Sequence, residues 1–141
     1  MSDQNTPPAR RYPLAEHEAE RLQAASGRAF IDVTVQGTLD GTLTADDLRI
    51  HAETLRAQAQ VARNAGHPQL ASNLLRAAEL TAVPNEELLK MYDLLRPGRA
   101  SYDTLMKLAQ LLEITYTAPE TASFVREAAE TYKVRGLLRR E

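Results

Sequence analysis

The sequence predicts a mainly α protein: a compact bundle of about five helices preceded by an extended, irregular N-terminal arm. Three observations lead there. Alanine is abundant while aromatics make up only 5% of the 141 residues, with two Phe, five Tyr and no Trp. That mixture suits helices with small contact faces rather than an aromatic-rich sheet core. From residue 51 onward, apolar residues recur at helical spacing between Pro and Gly punctuation. The one β-like stretch, Phe30-Ile31-Asp32-Val33-Thr34-Val35, is short and has no obvious strand to pair with. At this length a single domain is expected, divided into a leader (1–11), an arm with short helical turns (12–50) and a helical bundle (51–141).

The leader, MSDQNTPPARR, is polar, and Pro7-Pro8 blocks helix, so disorder is expected. Tyr12-Pro13-Leu14 places two apolar side chains around a proline. Residues 16–25 read as a short polar helix or an irregular segment, punctuated by Ser26-Gly27. Phe30–Val35 then predicts an extended arm or a small hairpin, interrupted by Gly37 and Gly41. Thr44 followed by Asp47 is an N-cap with an acid three positions on, and predicts one helical turn reaching Leu48.

The first long helix is expected over 52–65, with Leu55, Ala59 and Ala62 on one face and Gly66 as a left-handed terminator. Pro68 suits a second helix start, with Leu70, Leu74, Ala77 and Ala78 forming its stripe. Pro84 opens a third, in which Leu88, Met91, Tyr92 and Leu95 face inward and Pro97-Gly98 is the stop. Ser101 caps a fourth, whose face is Leu105, Leu108, Leu111 and Leu112. Pro119 opens a fifth, carrying Ala122, Val125, Ala129 and Tyr132, with Phe124 and Ala128 beside them. Its basic tail (Lys133, Arg135, Arg139, Arg140) suits a helix C-terminus.

Little in the chain points to chemistry of its own. Seventeen basic residues against nineteen acidic give a net charge of −2, without the footprint of a nucleic-acid or anionic-lipid binder. No apolar run approaches the ~20 residues of a membrane span, the N-terminus is not a secretory signal, and a cytoplasmic protein is expected. Cysteine is absent, which excludes disulfides, thiolate metal sites and a Cys nucleophile. His17, His51 and His67 lie far apart without partners at ligand spacing. Asp46-Asp47 and Glu86-Glu87 are neighbours that diverge by about 100° around a helix, and they fall in first turns where acids suit the helix dipole. No phosphate-binding or nucleophile-elbow motif occurs. The segment 78–109 has the spacing of a helix-turn-helix. Its would-be recognition helix, Asn85–Leu95, carries Glu86, Glu87 and Asp93 against Lys90 alone, which opposes approach to a polyanion.

Five blocks in order resemble a known family. They are Tyr12-Pro13-Leu14-Ala15; Leu48-Arg49-Ile50 with Glu53-Thr54-Leu55 and Gln58-Ala59; Arg76 through Pro84; Tyr92, Leu95-Arg96-Pro97 and Arg99; and Phe124 through Ala129 with Tyr132. Together, over about residues 12–138, they resemble the small (gamma) subunit of adenosylcobalamin-dependent diol and glycerol dehydratases, the propanediol dehydratase small-subunit family. Residues 16–29 match it poorly, and Gly37 and Gly41 interrupt the region after the extended stretch.

The resemblance implies a mostly helical, non-catalytic subunit of an α2β2γ2 hydro-lyase that converts a 1,2-diol to an aldehyde and water by a radical mechanism. It implies large (alpha) and medium (beta) partner subunits, with adenosylcobalamin and a metal ion held by them and none by this chain. No catalytic, cofactor-binding or metal-binding residue is therefore expected here. The subunit interface is expected at Tyr12, Leu14, Phe30 and Ile31, as apolar groups on an arm, and at Arg49, Arg76, Arg96, Arg99 and Arg126, as donors to partner carboxylates. Small subunits of diol dehydratases often carry a longer leader, linked to packaging in a bacterial microcompartment. The short leader before Tyr12 resembles glycerol dehydratase in this respect and gives packaging no support. Two other readings use the same helices: a helix-turn-helix DNA-binding regulator and a stand-alone helical scaffold.

Overall fold

The structure is a computed structural model and describes residues 9–139. The first eight residues of the expected leader, and Arg140 of the basic tail, lie outside the described residues. The chain divides into two compact units, which among the described residues run 9–74 and 75–139. The described residues are helical, with two isolated backbone bridges (Gln23 with Ala29, Ala24 with Ile50) and no strand.

The first unit begins with α1 (Leu14–His17) and three 3-10 turns at Ala19–Arg21, Phe30–Asp32 and Ala45–Leu48, with α2 (Val35–Leu39) between the last two. The β-like stretch thus becomes a 3-10 turn, two extended residues and the start of α2. Its β propensity has no neighbouring strand to satisfy, and a local alternative wins: the Thr34 hydroxyl caps α2 by accepting from the Gly37 amide at 3.0 Å. Gly37 lies inside α2 instead of breaking it. A Cβ there would meet Leu43 Cγ at 3.1 Å, so the residue permits a close approach of the following loop.

Helix α3 (Ala52–Asn64) follows. Leu55, Ala59 and Ala62 are buried as its spacing predicts, with Ala57 beside them. His51 caps it, its Nδ1 accepting from the Glu53 amide at 3.1 Å, a role the sequence does not announce. Gly66, at φ +85°, supplies the expected left-handed terminator. The apolar cluster of this unit is thin: Leu14, Leu22 and Ala57, with Val61 packed against them. Helix α4 (Pro68–Leu80) starts at its proline, and the boundary between the units falls within it. Leu70, expected on its inner stripe, is 50% exposed.

The second unit is built on α5 (Asn85–Leu94), α6 (Tyr102–Thr115) and α7 (Pro119–Arg135) with the end of α4. Its core is larger. Val83, Met91, Leu105, Leu108, Leu112 and Val125 are buried among five alanines, of which Ala109, Ala118, Ala122 and Ala129 are wholly inaccessible. Small residues at the α6–α7 contact let the two backbones approach, and the buried leucines fill what remains. Tyr92 departs from expectation: it is 70% exposed, because α5 turns only Met91 fully inward and leaves Leu88 and Leu95 half-buried. Leu111 and Phe124 also lie largely outside the core.

Polar contacts fix the helix ends. Ser101 caps α6 by accepting from the Thr104 amide at 3.2 Å. The start of α7 is capped from a distance in sequence: Glu79 accepts from the amides of Glu120 (2.9 Å) and Thr121 (2.8 Å) and from the Thr121 hydroxyl (2.6 Å). The α7 end turns back at Gly136, and Tyr132 donates its hydroxyl proton to the Leu95 carbonyl at 2.6 Å. Glu79→Ala leaves three donors at the head of α7 without their acceptor. It is expected to lower stability by about 1–2 kcal/mol in urea unfolding, with little change in helix content at zero denaturant.

Candidate interaction surface

Among the described residues, no group of three or more His, Asp or Glu side chains is placed to hold a metal ion, and no helix is long and apolar enough to cross a membrane. His51 is engaged as a helix cap, and His17 and His67 are exposed.

The first unit does carry a groove of about 460 Å³, whose floor includes Leu14 and Leu22 and whose walls include Tyr12, Phe30, Leu48 and Ile50. Backbone bonds hold the walls. The Phe30 amide donates to the Leu22 carbonyl (3.0 Å), Ala24 to Arg28 (2.9 Å) and Ala25 to Arg49 (2.9 Å). Behind them sits Asp47, only 6% exposed. Its Oδ1 accepts from the Ser26 hydroxyl at 2.6 Å and lies 3.1 Å from Arg28 Nε. Its Oδ2 accepts from the Thr44 amide at 2.7 Å and the Thr44 hydroxyl at 3.1 Å. Arg28 reaches on, through Nη2, to the Thr42 carbonyl at 3.0 Å. One carboxylate thus ties the 26–28 turn to the 44–48 turn.

These contacts hold the Asp47 carboxyl well below its ordinary value of 3.8. The Ser26 hydroxyl contributes most, then the Thr44 amide, then Arg28, while burial works in the opposite direction. The spacing from Thr44 reveals Asp47 as the acid half of a capping box. Its partners Ser26 and Arg28, some twenty residues upstream, leave no periodic or motif signal.

The residues expected at an interface fall into different environments. Tyr12 (73% exposed), Ile31 (61%) and Phe30 are open to solvent. Leu14 is not: this chain buries it in the first unit's own cluster, so it supports the groove from beneath instead of projecting as an anchor. Arg49 makes an exposed ion pair with Asp46 at 3.5 Å. Arg76 lies with its guanidinium 4.4 Å from the Phe124 ring centroid, a cation–π contact. Arg99 sits 3.9 Å from Asp93, and Arg126 pairs with Glu113. Arg96 is exposed. The structure therefore brings Tyr12 and Phe30 together at the groove, with Leu14 below and Arg49 at its edge. Sequence reasoning missed Leu48 and Ile50 as members of this surface. Both are bulky apolar residues on either side of a charged one, at the end of a predicted turn, and that signal was available.

Helix α5 bears on the DNA-binding reading. Its single basic residue, Lys90, is already shared by Glu87 (2.9 Å) and Glu86 (3.2 Å), which raise its pKa above the ordinary value. The side of α5 that points to solvent offers Leu89 and Tyr92, not a basic face.

Asp47 gives the first unit a specific acid sensitivity. A carboxyl whose folded pKa lies below its unfolded value stabilises the fold above the unfolded value and loses that contribution as pH falls through the folded one. The Tm of wild type is therefore expected to exceed that of Asp47→Asn at pH 6–7, and the gap to narrow steadily below about pH 4. Thermal melts of both proteins across this range check it, and a gap independent of pH contradicts the network.

Comparison with known proteins is consistent across nearly the whole chain. The family model described as dehydratase small subunit matches residues 8–139. A propanediol dehydratase small subunit of Citrobacter freundii is 46% identical over 128 residues, covering 91% of this chain and 74% of that protein. The corresponding protein of Salmonella typhimurium (strain LT2) is 44% identical over the same shares. The helices, their caps and the turns around the groove all fall inside the matched span, and the chain belongs to the dehydratase small-subunit family.

Proposed function

We propose that this chain is the small subunit of an adenosylcobalamin-dependent diol dehydratase, the enzyme that converts 1,2-propanediol to propionaldehyde and water. The observation that carries the reading is the similarity, over 91% of the chain, to two proteins each named propanediol dehydratase small subunit. In this reading the chain joins large and medium subunits as α2β2γ2 in the cytoplasm and covers part of the large subunit.

The side chains fit a covering role better than a chemical one. A catalytic metal ion needs converging donors, and the described residues bring no group of three or more His, Asp or Glu together. The charged groups at the groove, Asp47 and Arg49, are engaged by Ser26, Thr44, Arg28 and Asp46. The radical chemistry is assigned to the partner subunits, and no step of it runs through a residue of this chain. What this chain supplies is buried area. A site that generates radicals works only when dry and rigid, and a subunit that binds the folded large subunit stabilises it by mass action. Arg96 and Arg99, both exposed, are suited to pair with partner carboxylates at the edge of the contact.

Co-expression of large and medium subunits with and without this chain tests the reading. Coenzyme-dependent aldehyde formation is expected with all three chains and a several-fold lower yield of active enzyme without this one. Equal activity in its absence contradicts the proposal, as does turnover by the purified chain alone.

A further inference from the structure

We infer that residues 136–139 form a strap that holds the α5–α6 loop (95–101) in place, and that strap and loop open together as one local unit while α6 and α7 stay folded.

The strap begins where α7 stops. Gly136, at φ +66°, turns the chain back, and the Leu137 amide donates to the Tyr132 carbonyl at 2.8 Å. Three bonds then join this end of the chain to the loop. The Gly98 amide donates to the Leu137 carbonyl at 2.8 Å, and the Arg139 amide donates to the Ala100 carbonyl at 2.9 Å. The Tyr132 hydroxyl donates to the Leu95 carbonyl at 2.6 Å. Leu138, between the two backbone bonds, packs against the core of the second unit.

The loop has little of its own to replace these contacts. Pro97 has no amide proton to offer. The local bonds run from the Arg96 amide to the Asp93 carbonyl (3.2 Å) and from the Arg99 amide to the Arg96 carbonyl (3.1 Å). Neither engages the Gly98 amide or the carbonyls of Leu95 and Ala100. Ala100 is 4% exposed, so its carbonyl has little water to turn to once Arg139 is gone. The partners of these three groups all come from residues 132–139, far along the chain, and the order of the loop depends on the seating of the strap.

The strap is also the part that can leave. Gly136 and Arg139 are exposed, and Leu137 and Leu138 are only half-buried. Few buried contacts and exposed backbone bonds mark a segment that opens at low cost. Helices α6 and α7 are held instead by Leu105, Ala109, Ala122 and Ala129, all inaccessible and none supplied by the strap. The loop carries Arg96 and Arg99, both exposed, with Arg99 3.9 Å from Asp93 of α5. Seated, the strap presents the two guanidiniums on a fixed loop. Released, it leaves them on a mobile one. The device is intramolecular and stands whether or not the chain joins other subunits.

Amide hydrogen exchange on the full chain tests it with two variants. Arg139→Pro removes the donor to Ala100, and Tyr132→Phe removes the hydroxyl that reaches Leu95. In Arg139→Pro the Gly98 amide, whose own acceptor is untouched, is expected to exchange about tenfold faster than in wild type. In Tyr132→Phe, a change of one hydroxyl group, the Gly98 and Arg139 amides are expected to accelerate together by a few-fold. The amides of Leu108 and Leu112 in α6 are expected to keep their wild-type rates in both variants. Unchanged exchange at Gly98 in both variants means that the loop orders itself, and overturns the inference. Acceleration that spreads equally to Leu108 and Leu112 reports opening of the whole unit instead of strap and loop, and overturns it as well.

Discussion

The close approach of α6 and α7 depends on side chains that are almost not there. Ala109, Ala118, Ala122 and Ala129 are wholly buried, and Leu105, Leu112 and Val125 fill the remaining space. A core built this way orders many residues with few large apolar groups. In the first unit, large apolar side chains remain at the surface. Tyr12, Ile31, Val35, Leu39 and Leu48 are all more than 60% exposed. In a free-standing protein such a surface is a liability. In the proposed reading it is area available to a partner subunit.

The two units hold themselves together by different means. From residue 75 onward, burial dominates, with the Glu79 carboxylate closing the head of α7. Up to residue 74, the buried side chains are mostly alanines with Leu14, Leu22 and Leu55, and polar bonds add to the order. Asp47 joins two turns, Thr34 caps α2, and three backbone bonds pin the 22–30 loop and residue 49. A unit of this second kind can keep a groove open without collapsing it, since its walls are held from behind by hydrogen bonds.

The helices were legible because their signals are local. Pro68 and Pro119 as helix starts, Ser101 as a cap and Gly66 as a terminator are properties of a few adjacent residues, and each stands where the pattern puts it. Periodicity was less reliable about which face is innermost. Tyr92 and Leu70 sit at plausible core positions, but neither is covered by the chain itself. Phe30–Val35 misled because β propensity expresses a fit to a neighbouring strand that this chain does not provide. The Asp47 hub was half visible, through Thr44, and half hidden, because Ser26 and Arg28 reach it only through the fold. Exposure within the N-terminal arm was the least legible property. Leu14 and Tyr12 are two positions apart, yet one is buried by the chain and the other is not.

The account stands on the claim that this chain works as a stoichiometric part of a larger enzyme. Native mass spectrometry of the enzyme assembled from large, medium and small subunits reads that directly. The account predicts a single dominant species containing one copy of this chain for every large subunit, from which loss of this chain on dissociation leaves the large subunit less stable. A complete large–medium assembly with this chain recovered only as a free species would contradict it.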